Sequence, residues 1–256
     1  MNRLSRVVLG AVVVSCPVLA LGVGASSTAE AQIPESFSNL QVLPADTSRA
    51  VLVGVMRNYA SSLGVGCDHC HVGDDVATFE DFDFASDDKE AKQVARSMMR
   101  MVEVINGDLL PASGRDAATL LEVGCATCHH GVSRPEPLRA ILMTAFEEGG
   151  VDAVIVRYQE LREQYYGRAS YDFGRATLSS VAELVARAHR DFEATERLLV
   201  YNIGLYPDWD YHYFLVGVLR SQLGNMEGAR EALEKAVELD PDSSRNRDAL
   251  ARIRRQ

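Results

Sequence analysis

The sequence predicts an all-α fold in which helices lead into two cysteine-containing turns and a helical repeat follows. Apolar residues recur at helical spacing ahead of each turn. Over the last third of the chain, small and apolar residues recur with a period of about 34 residues, as in stacked helix pairs. We expect four segments, at 1–31, 32–135, 136–175 and 176–256.

Segment 1–31 has the features of a secretory signal peptide. Arg3 and Arg6 precede an apolar stretch at 7–24, and Ala29-Glu30-Ala31 supplies the small residues of a cleavage site before Gln32. The sequence therefore predicts an exported, periplasmic protein.

A lipid anchor is the alternative for the same segment. Val13 to Cys16 resembles a lipobox, which would leave Cys16 lipidated and the protein associated with a membrane. The apolar run continues past Cys16, where a lipoprotein usually turns polar. No later stretch reaches the roughly 18 apolar residues of a membrane span.

The charge balance constrains the partners. The full chain has a formal net charge of −10, and loss of Arg3, Arg6 and Glu30 with the signal peptide makes it one unit more negative. An acidic surface argues against nucleic acid and favours a partner protein with a basic docking face.

The first predicted helix can be capped by Asp46 or Thr47 and ended by Gly64. Its apolar positions recur at helical spacing: Leu52, Val55, Met56, Tyr59 and Leu63.

Asp87, with Glu90 three residues later, resembles a capping box and predicts the start of the second helix. One face carries Ala91, Val94, Ala95, Met98, Met101, Val102 and Ile105. A loop over 106–114 and a short helix ending near Val123 should follow.

Each predicted turn contains the pattern C-x-x-C-H, which is the attachment signature of c-type haem. The two thiols form thioethers with the haem vinyl groups, and the adjacent histidine becomes the proximal iron ligand. The sequence therefore predicts two covalently attached c-type haems, bound by Cys67, Cys70, His71, Cys125, Cys128 and His129.

Other uses of these cysteines explain the pattern less well. Two C-x-x-C pairs can close a tetrahedral zinc site, and one pair can be a redox-active dithiol. Neither explains a histidine directly after both pairs. Disulfides are disfavoured because the motifs use four of the 5 cysteines and the fifth, Cys16, lies in the signal peptide.

The sixth iron ligands should come from methionine or a second histidine. Met56 and Met98 each lie on the apolar face of the helix ahead of a motif, but core packing is the commoner role of such methionines. Met101 and Met99 are rivals at the second haem. His69 and His130 are expected to be surface groups or to contact the haem propionates, and His189 and His212, which lie in the other half of the chain, are not expected to bind iron.

Several strings resemble the cytochrome c subunit of photosynthetic reaction centres over about residues 39–135. They are Asn39 to Leu43, the Met56 helix, Cys67 to His71, Phe84 to Asp88, Val94 to Met98, Ile105-Asn106, Cys125 to His129, and Gly131. The resemblance implies a dihaem electron-transfer unit with His71 and His129 as proximal ligands and Met98 as the sixth ligand of the second haem. It carries over to Met56 less closely, because the spacing from Met56 to Cys67 differs slightly. The family subunit has four haems in two such units, whereas this chain has one unit, so photosynthesis is not implied.

The region after about residue 175 resembles a tetratricopeptide repeat, with one good unit at 210–243. An earlier copy is degenerate, because Glu183, Thr195 and Asn202 stand where small residues are expected. Helices at about 138–166 and 244–255 should extend the stack. The alternatives are a docking surface for a partner and an unspecialised helical bundle.

These features favour an exported dihaem cytochrome that carries out one-electron transfer and docks to a redox partner through its repeats. A peroxidase-like enzyme with one open haem is the main alternative, since His130 and Arg134 follow the second motif. A redox-sensing or assembly protein is a third possibility. An electron-transfer protein is favoured over a catalyst because the resemblance implies two irons with axial ligands on both sides.

Overall fold

The computed structural model describes residues 33–116 and 119–255, and the signal-peptide prediction therefore lies outside the described residues. The predicted all-α fold is confirmed. Its helices are α1 (Arg49–Leu63), α2 (Glu90–Val104), α3 (Leu110–Ala112), α4 (Cys125–His129), α5 (Leu138–Tyr165), α6 (Ala176–Ala188), α7 (Phe192–Leu205), α8 (Asp210–Gln222), α9 (Met226–Leu239) and α10 (Ser244–Ile253). In the described ranges, the one isolated β-bridge joins Val72 to Asp83.

Helix α1 ends where predicted but begins differently. Gly64 is the C-cap with a φ of 67°, a left-handed conformation that glycine adopts without strain. At the other end, the prediction of an Asp46 or Thr47 cap is wrong. Ser48 occupies the N-cap position without a side-chain hydrogen bond, and the Thr47 hydroxyl instead donates to the Pro44 carbonyl at 2.6 Å.

Helix α2 also lacks the predicted cap. Lys89 is its N-cap, and the Asp87 carboxylate lies against Lys92 and Arg96 rather than against the first backbone N–H groups. Charge pairing with two cations one helical turn apart therefore replaces the expected capping box.

In the connection from α2 to α4, the helical and the non-helical parts lie in the opposite order from the prediction. Ile105–Leu109 forms a π-helical turn and α3 continues it, whereas residues 120–124 are not helical. The Asn106 side chain explains the second part. Its Nδ2 donates to the Val123 carbonyl at 2.8 Å, and its Oδ1 accepts from the Val123 N–H at 2.8 Å. This reciprocal pairing satisfies the Val123 backbone groups that a helix would otherwise use.

The C-terminal half is a stack of antiparallel helices. Helix α5 is kinked at Gly149 and Gly150, and the latter has a φ of 66°. Helices α6, α8 and α10 begin at Ala176, Asp210 and Ser244, at successive intervals of 34 residues. The repeat predicted from the sequence is therefore also the repeat of the helices. A continuous core runs through α5–α9 and contains Leu142, Val154, Tyr158, Leu178, Val181, Leu198 and Val216.

Polar residues in the degenerate repeat are accommodated by hydrogen bonds. The Thr195 hydroxyl donates to the Asp191 carbonyl at 2.6 Å. Asn202 is fully buried, and its Nδ2 lies 2.8 Å from the Arg175 carbonyl and 3.0 Å from the Ser179 hydroxyl. These bonds reduce the cost of burying the two side chains, although Asn202 Oδ1 is buried without a hydrogen-bond partner among the described residues.

No helix in the two described ranges combines the length and apolar character that crossing a membrane requires.

Gly217 tests the packing between α8 and α9. A Cβ at this position would lie 2.6 Å from Leu233 Cγ and 3.1 Å from the Ala229 carbonyl oxygen. We expect Gly217→Ala to lower the free energy of unfolding by about 1–3 kcal/mol because α9 must move away. Urea denaturation followed by circular dichroism measures this.

Gly204→Ala is the matched control, since among the described residues no atom beyond its chain neighbours and the backbone of its own helix lies within 4 Å of a Cβ at that position. It should raise the free energy of unfolding by roughly 0.5–1 kcal/mol. Equal destabilisation by both substitutions would contradict the close packing at Gly217.

Candidate haem-binding site

A cavity of about 690 Å³ lies between α1, α2 and the two C-x-x-C-H motifs. This volume is typical of cofactor pockets, about 300–1,000 Å³. Apolar side chains dominate its lining. The predicted haem-binding residues that line it are Met56, Cys67, Cys70, His71, Met98, Cys125 and His129.

The first motif forms a tight turn three residues beyond Gly64. Residues Cys67–His69 are a 3₁₀ turn, and the His71 N–H donates to the Cys67 carbonyl at 3.0 Å. This turn brings Cys67, Cys70 and His71 to the same cavity.

The His71 ring lies among aromatic side chains. Its centroid is 5.1 Å from that of Phe84 in an edge-to-face arrangement, and Phe79 and Phe82 complete the cluster. Burial lowers the pKa of His71, and the nearby Lys92 charge lowers it further. The imidazole is therefore kept neutral, which is the form that binds a metal. Its Nδ1 is buried without a hydrogen-bond partner among the described residues.

The second motif is the short helix α4. The Gly124 N–H donates to the Thr127 hydroxyl at 3.0 Å at its start, and His130 and Gly131 have φ angles of 49° and 81° at its end. His129 Nδ1 lies 2.9 Å from the Val132 carbonyl. A carbonyl can only accept, so Nδ1 is the donor in this contact and Nε2 is the ring nitrogen that remains for a metal.

The two motifs are held close together by backbone contact. The Gly131 N–H donates to the Ser62 carbonyl at 2.8 Å, which joins the end of α1 to the turn after α4. A Cβ on Gly64 would lie 2.1 Å from the Gly131 carbonyl oxygen, so this approach requires glycine. Because the first motif begins just after Gly64, the contact fixes one motif beside the other.

The methionine candidates differ in position. Met56, Met98 and Met99 line the cavity, whereas Met101 does not. Met98 and Met101 are similarly exposed, at 41% and 47%. Cavity lining thus separates Met101 from the other candidates and does not distinguish Met98 from Met99.

The remaining histidines lie in varied surroundings. His69 lines the cavity, and His130 occupies the left-handed turn after α4. His189 packs against Phe146, and His212 is buried in the repeats with its Nε2 3.0 Å from the Arg175 carbonyl. Neither of the last two lines the cavity.

The four motif cysteines do not converge on a zinc site. Among residues 33–116 and 119–255, no three His, Cys, Asp or Glu side chains are grouped so that they could hold a metal ion. Cys128 is exposed, while the other three are half-buried.

Four contributors to the site were not anticipated: Lys92, Arg96, Asn106 and Gly131 in its contact with Ser62. Lys92 and Arg96 stand four residues apart on the face of α2 opposite the predicted apolar positions. That spacing, together with Asp87 just before the helix, was the available signal. The capping-box prediction assigned Asp87 elsewhere.

Comparison with known proteins identifies both parts of the chain. Residues 13–149, more than half of the chain, match the photosynthetic reaction centre cytochrome C subunit, and residues 213–243 match a tetratricopeptide repeat. Both predicted resemblances are confirmed. Cytochrome c-554 of Chloroflexus aurantiacus is 30% identical over 109 residues, which are 43% of this chain and 24% of that protein. The chain thus covers about a quarter of the length of this curated relative.

Solved structures with a similar chain path include tetratricopeptide domains. The first TPR of Spaghetti (RPAP3) bound to an HSP90 peptide has a TM-score of 0.32 and 20% identity, covering 46% of this chain and 88% of that one. The first TPR domain of human RPAP3 has a TM-score of 0.33 and 19% identity, covering 46% and 87%.

Asn106 should position the second motif through Val123. We expect Asn106→Ala to lower the free energy of unfolding by about 1–3 kcal/mol, because it leaves two half-buried backbone groups unpaired. It should also reduce haem attachment at Cys125 and Cys128 more than at the first motif. Peptide mass spectrometry of the purified protein measures attachment at each motif.

Asn106→Asp keeps the acceptor and loses the donor, so its effect should be intermediate. Asn58→Ala on the exposed face of α1 is the matched control and should change neither motif. Equal loss at both motifs in Asn106→Ala would contradict a local positioning role.

Proposed function

The chain belongs to the family of the photosynthetic reaction centre cytochrome c subunit, and we propose that it is an exported cytochrome with two covalently attached haems that transfers single electrons. The observation that carries this proposal is the shared cavity, which is lined by both motif histidines and by Met56 and Met98. Haem bound there would supply a reversible one-electron couple.

Each haem has a set of candidate protein ligands, and all of them except Cys128, which is exposed, line the cavity. Cys67 and Cys70 would attach the first haem and His71 would bind its iron; Cys125, Cys128 and His129 would do the same for the second. The thioether sulfurs of Met56 and Met98 would be the remaining protein ligands of the two irons. Methionine ligation together with burial would raise the reduction potentials relative to two nitrogen ligands.

The contact between Ser62 and Gly131 supports electron exchange within the protein. It holds the two attachment turns beside the same cavity. Electron transfer between two haems requires that they lie close together. With this backbone contact in place, the two motifs are already side by side and no domain movement is needed to bring the haems together.

Export and partner docking are supported by the sequence and by the repeats. The predicted cleavage before Gln32 agrees with the attachment of c-type haem outside the bacterial cytoplasm, and a lipid on Cys16 would add a membrane anchor. The net charge of −10 favours a redox partner with a basic face. Stacked repeats offer a surface for such a partner.

The placement of Arg134 does not support the peroxidase-like alternative. Its side chain is 88% exposed, pairs with Glu136 at 3.7 Å, and does not line the cavity. An arginine that assists peroxide cleavage would have to reach the open side of an iron.

A potentiometric titration of the mature protein tests the proposal, using the visible spectrum and the weak near-infrared band of methionine-ligated ferric iron. Two reversible low-spin steps are expected. Met98→Ala should abolish about half of the near-infrared band and lower one potential, because one iron loses its sulfur ligand.

Met101→Ala is the matched control, since Met101 lies on the same helix outside the cavity. It should leave both steps unchanged. A wild-type protein in which one haem is high-spin and binds carbon monoxide would refute the electron-transfer proposal in favour of an enzyme.

A further inference from the structure

Two cations are buried in the wall of the haem cavity. The side chains of Lys92 and Arg96 are only 11% and 8% exposed, and both line the cavity. Among the described residues, these are the lysine and the arginine that are classed as buried. Burying a charge is expensive, so two cations in the wall of a cofactor cavity call for an explanation.

Most of their hydrogen bonds go to uncharged groups. Lys92 Nζ donates to the carbonyls of Phe84 and Ser86 at 2.9 and 2.6 Å. Arg96 Nη2 donates to the Asn39 carbonyl at 3.2 Å. These carbonyls satisfy the donors but do not cancel the charges.

One carboxylate is shared between the two cations. Asp87 Oδ1 lies 2.8 Å from Arg96 Nη1 and 3.4 Å from Lys92 Nζ. Burial opposes ionisation of Asp87, but hydrogen bonds led by that from Arg96 outweigh it and lower its pKa to about 2. Asp87 is therefore ionised at neutral pH. Two positive charges and one negative charge leave the cluster with one net positive charge.

The cluster is tied to the first motif. Lys92 binds the backbone of Phe84, whose ring contacts His71 at a centroid distance of 5.1 Å. Lys89, at the start of the same helix, donates to the carbonyl of Asp68 inside the motif at 2.6 Å. The arginine nearest in sequence to the second motif, Arg134, is 88% exposed and paired with Glu136. These contacts join the cluster to the first motif, whereas its link to the second haem is through α2, on which Arg96 lies two residues before Met98.

We propose that the net positive charge of Lys92, Arg96 and Asp87 raises the reduction potential of the haem bound by His71 above that of the haem bound by His129. Reduction adds one negative charge at the iron, and a buried positive charge nearby stabilises that state. One electron would pass from the His129 haem to the His71 haem. The His129 haem becomes oxidised and the His71 haem becomes reduced. The inference rests on the proposed pair of haems and gives it a direction.

Opposite changes of charge at the cluster test the inference by potentiometric titration of the full-length holoprotein. In Lys92→Gln, the ratio of reduced to oxidised His71 haem at a fixed ambient potential should fall roughly tenfold. In Asp87→Asn, which removes the negative charge with almost no change in shape, the same ratio should rise. The reduction potential of the His129 haem should change little in either variant.

Arg100→Gln is the matched control, because it makes the same change of charge on the same helix at an exposed position. It should leave both potentials unchanged. A double variant with Cys125→Ala and Cys128→Ala retains only the first haem, so its single reduction step is assigned to the first motif. If that variant cannot be purified, the double variant with Cys67→Ala and Cys70→Ala assigns the reduction step of the second motif instead.

Three results would overturn the inference: shifts in the same direction for Lys92→Gln and Asp87→Asn, equal shifts of both haems, or a wild-type His71 haem with the lower potential. If Lys92→Gln does not fold, Asp87→Asn alone decides, since destabilisation of the site gives no reason for its potential to rise. Absence of two reversible steps in the unsubstituted protein would instead refute the proposed function.

Discussion

The backbone hydrogen bond from Gly131 to the Ser62 carbonyl joins the end of α1 to the turn after α4. Both C-x-x-C-H motifs depend on this contact for their positions, because the first begins three residues after Gly64 and the second ends two residues before Gly131. The near contact of Gly64 with the Gly131 carbonyl explains why two glycines meet here. A side chain on Gly64 would push the motifs apart and open the shared cavity.

The cavity combines an apolar lining with a small number of polar groups that have definite roles. His129 is fixed by its bond to Val132, and His71 is surrounded by phenylalanines and kept neutral by burial. Lys92, Arg96 and Asp87 form a charged cluster on one wall. These groups would let the protein set the electronic properties of each haem separately, through ligands at both sites and through buried charge at one of them.

Strongly local signals made much of this structure predictable. The two motifs, the left-handed Gly64 cap and the 34-residue spacing of α6, α8 and α10 all follow from residues whose roles are set by their immediate neighbours. The errors arose where a side chain bonds to a partner that the local sequence pattern does not indicate. Asn106 pairs with Val123 and prevents the helix predicted there, and Asp87 pairs with Arg96 instead of capping α2. Burial of Lys92 and Arg96 is likewise a tertiary effect that spacing alone does not determine.

Two covalently attached haems would share one cavity in this protein. The most direct measurement is the intact mass of the mature protein, produced in a host that attaches c-type haem, combined with alkylation of free thiols and peptide mapping. The account predicts a mass increase of two haems, with both motif peptides modified and no alkylated cysteine among Cys67, Cys70, Cys125 and Cys128. A single haem, with one motif carrying free thiols, would contradict it.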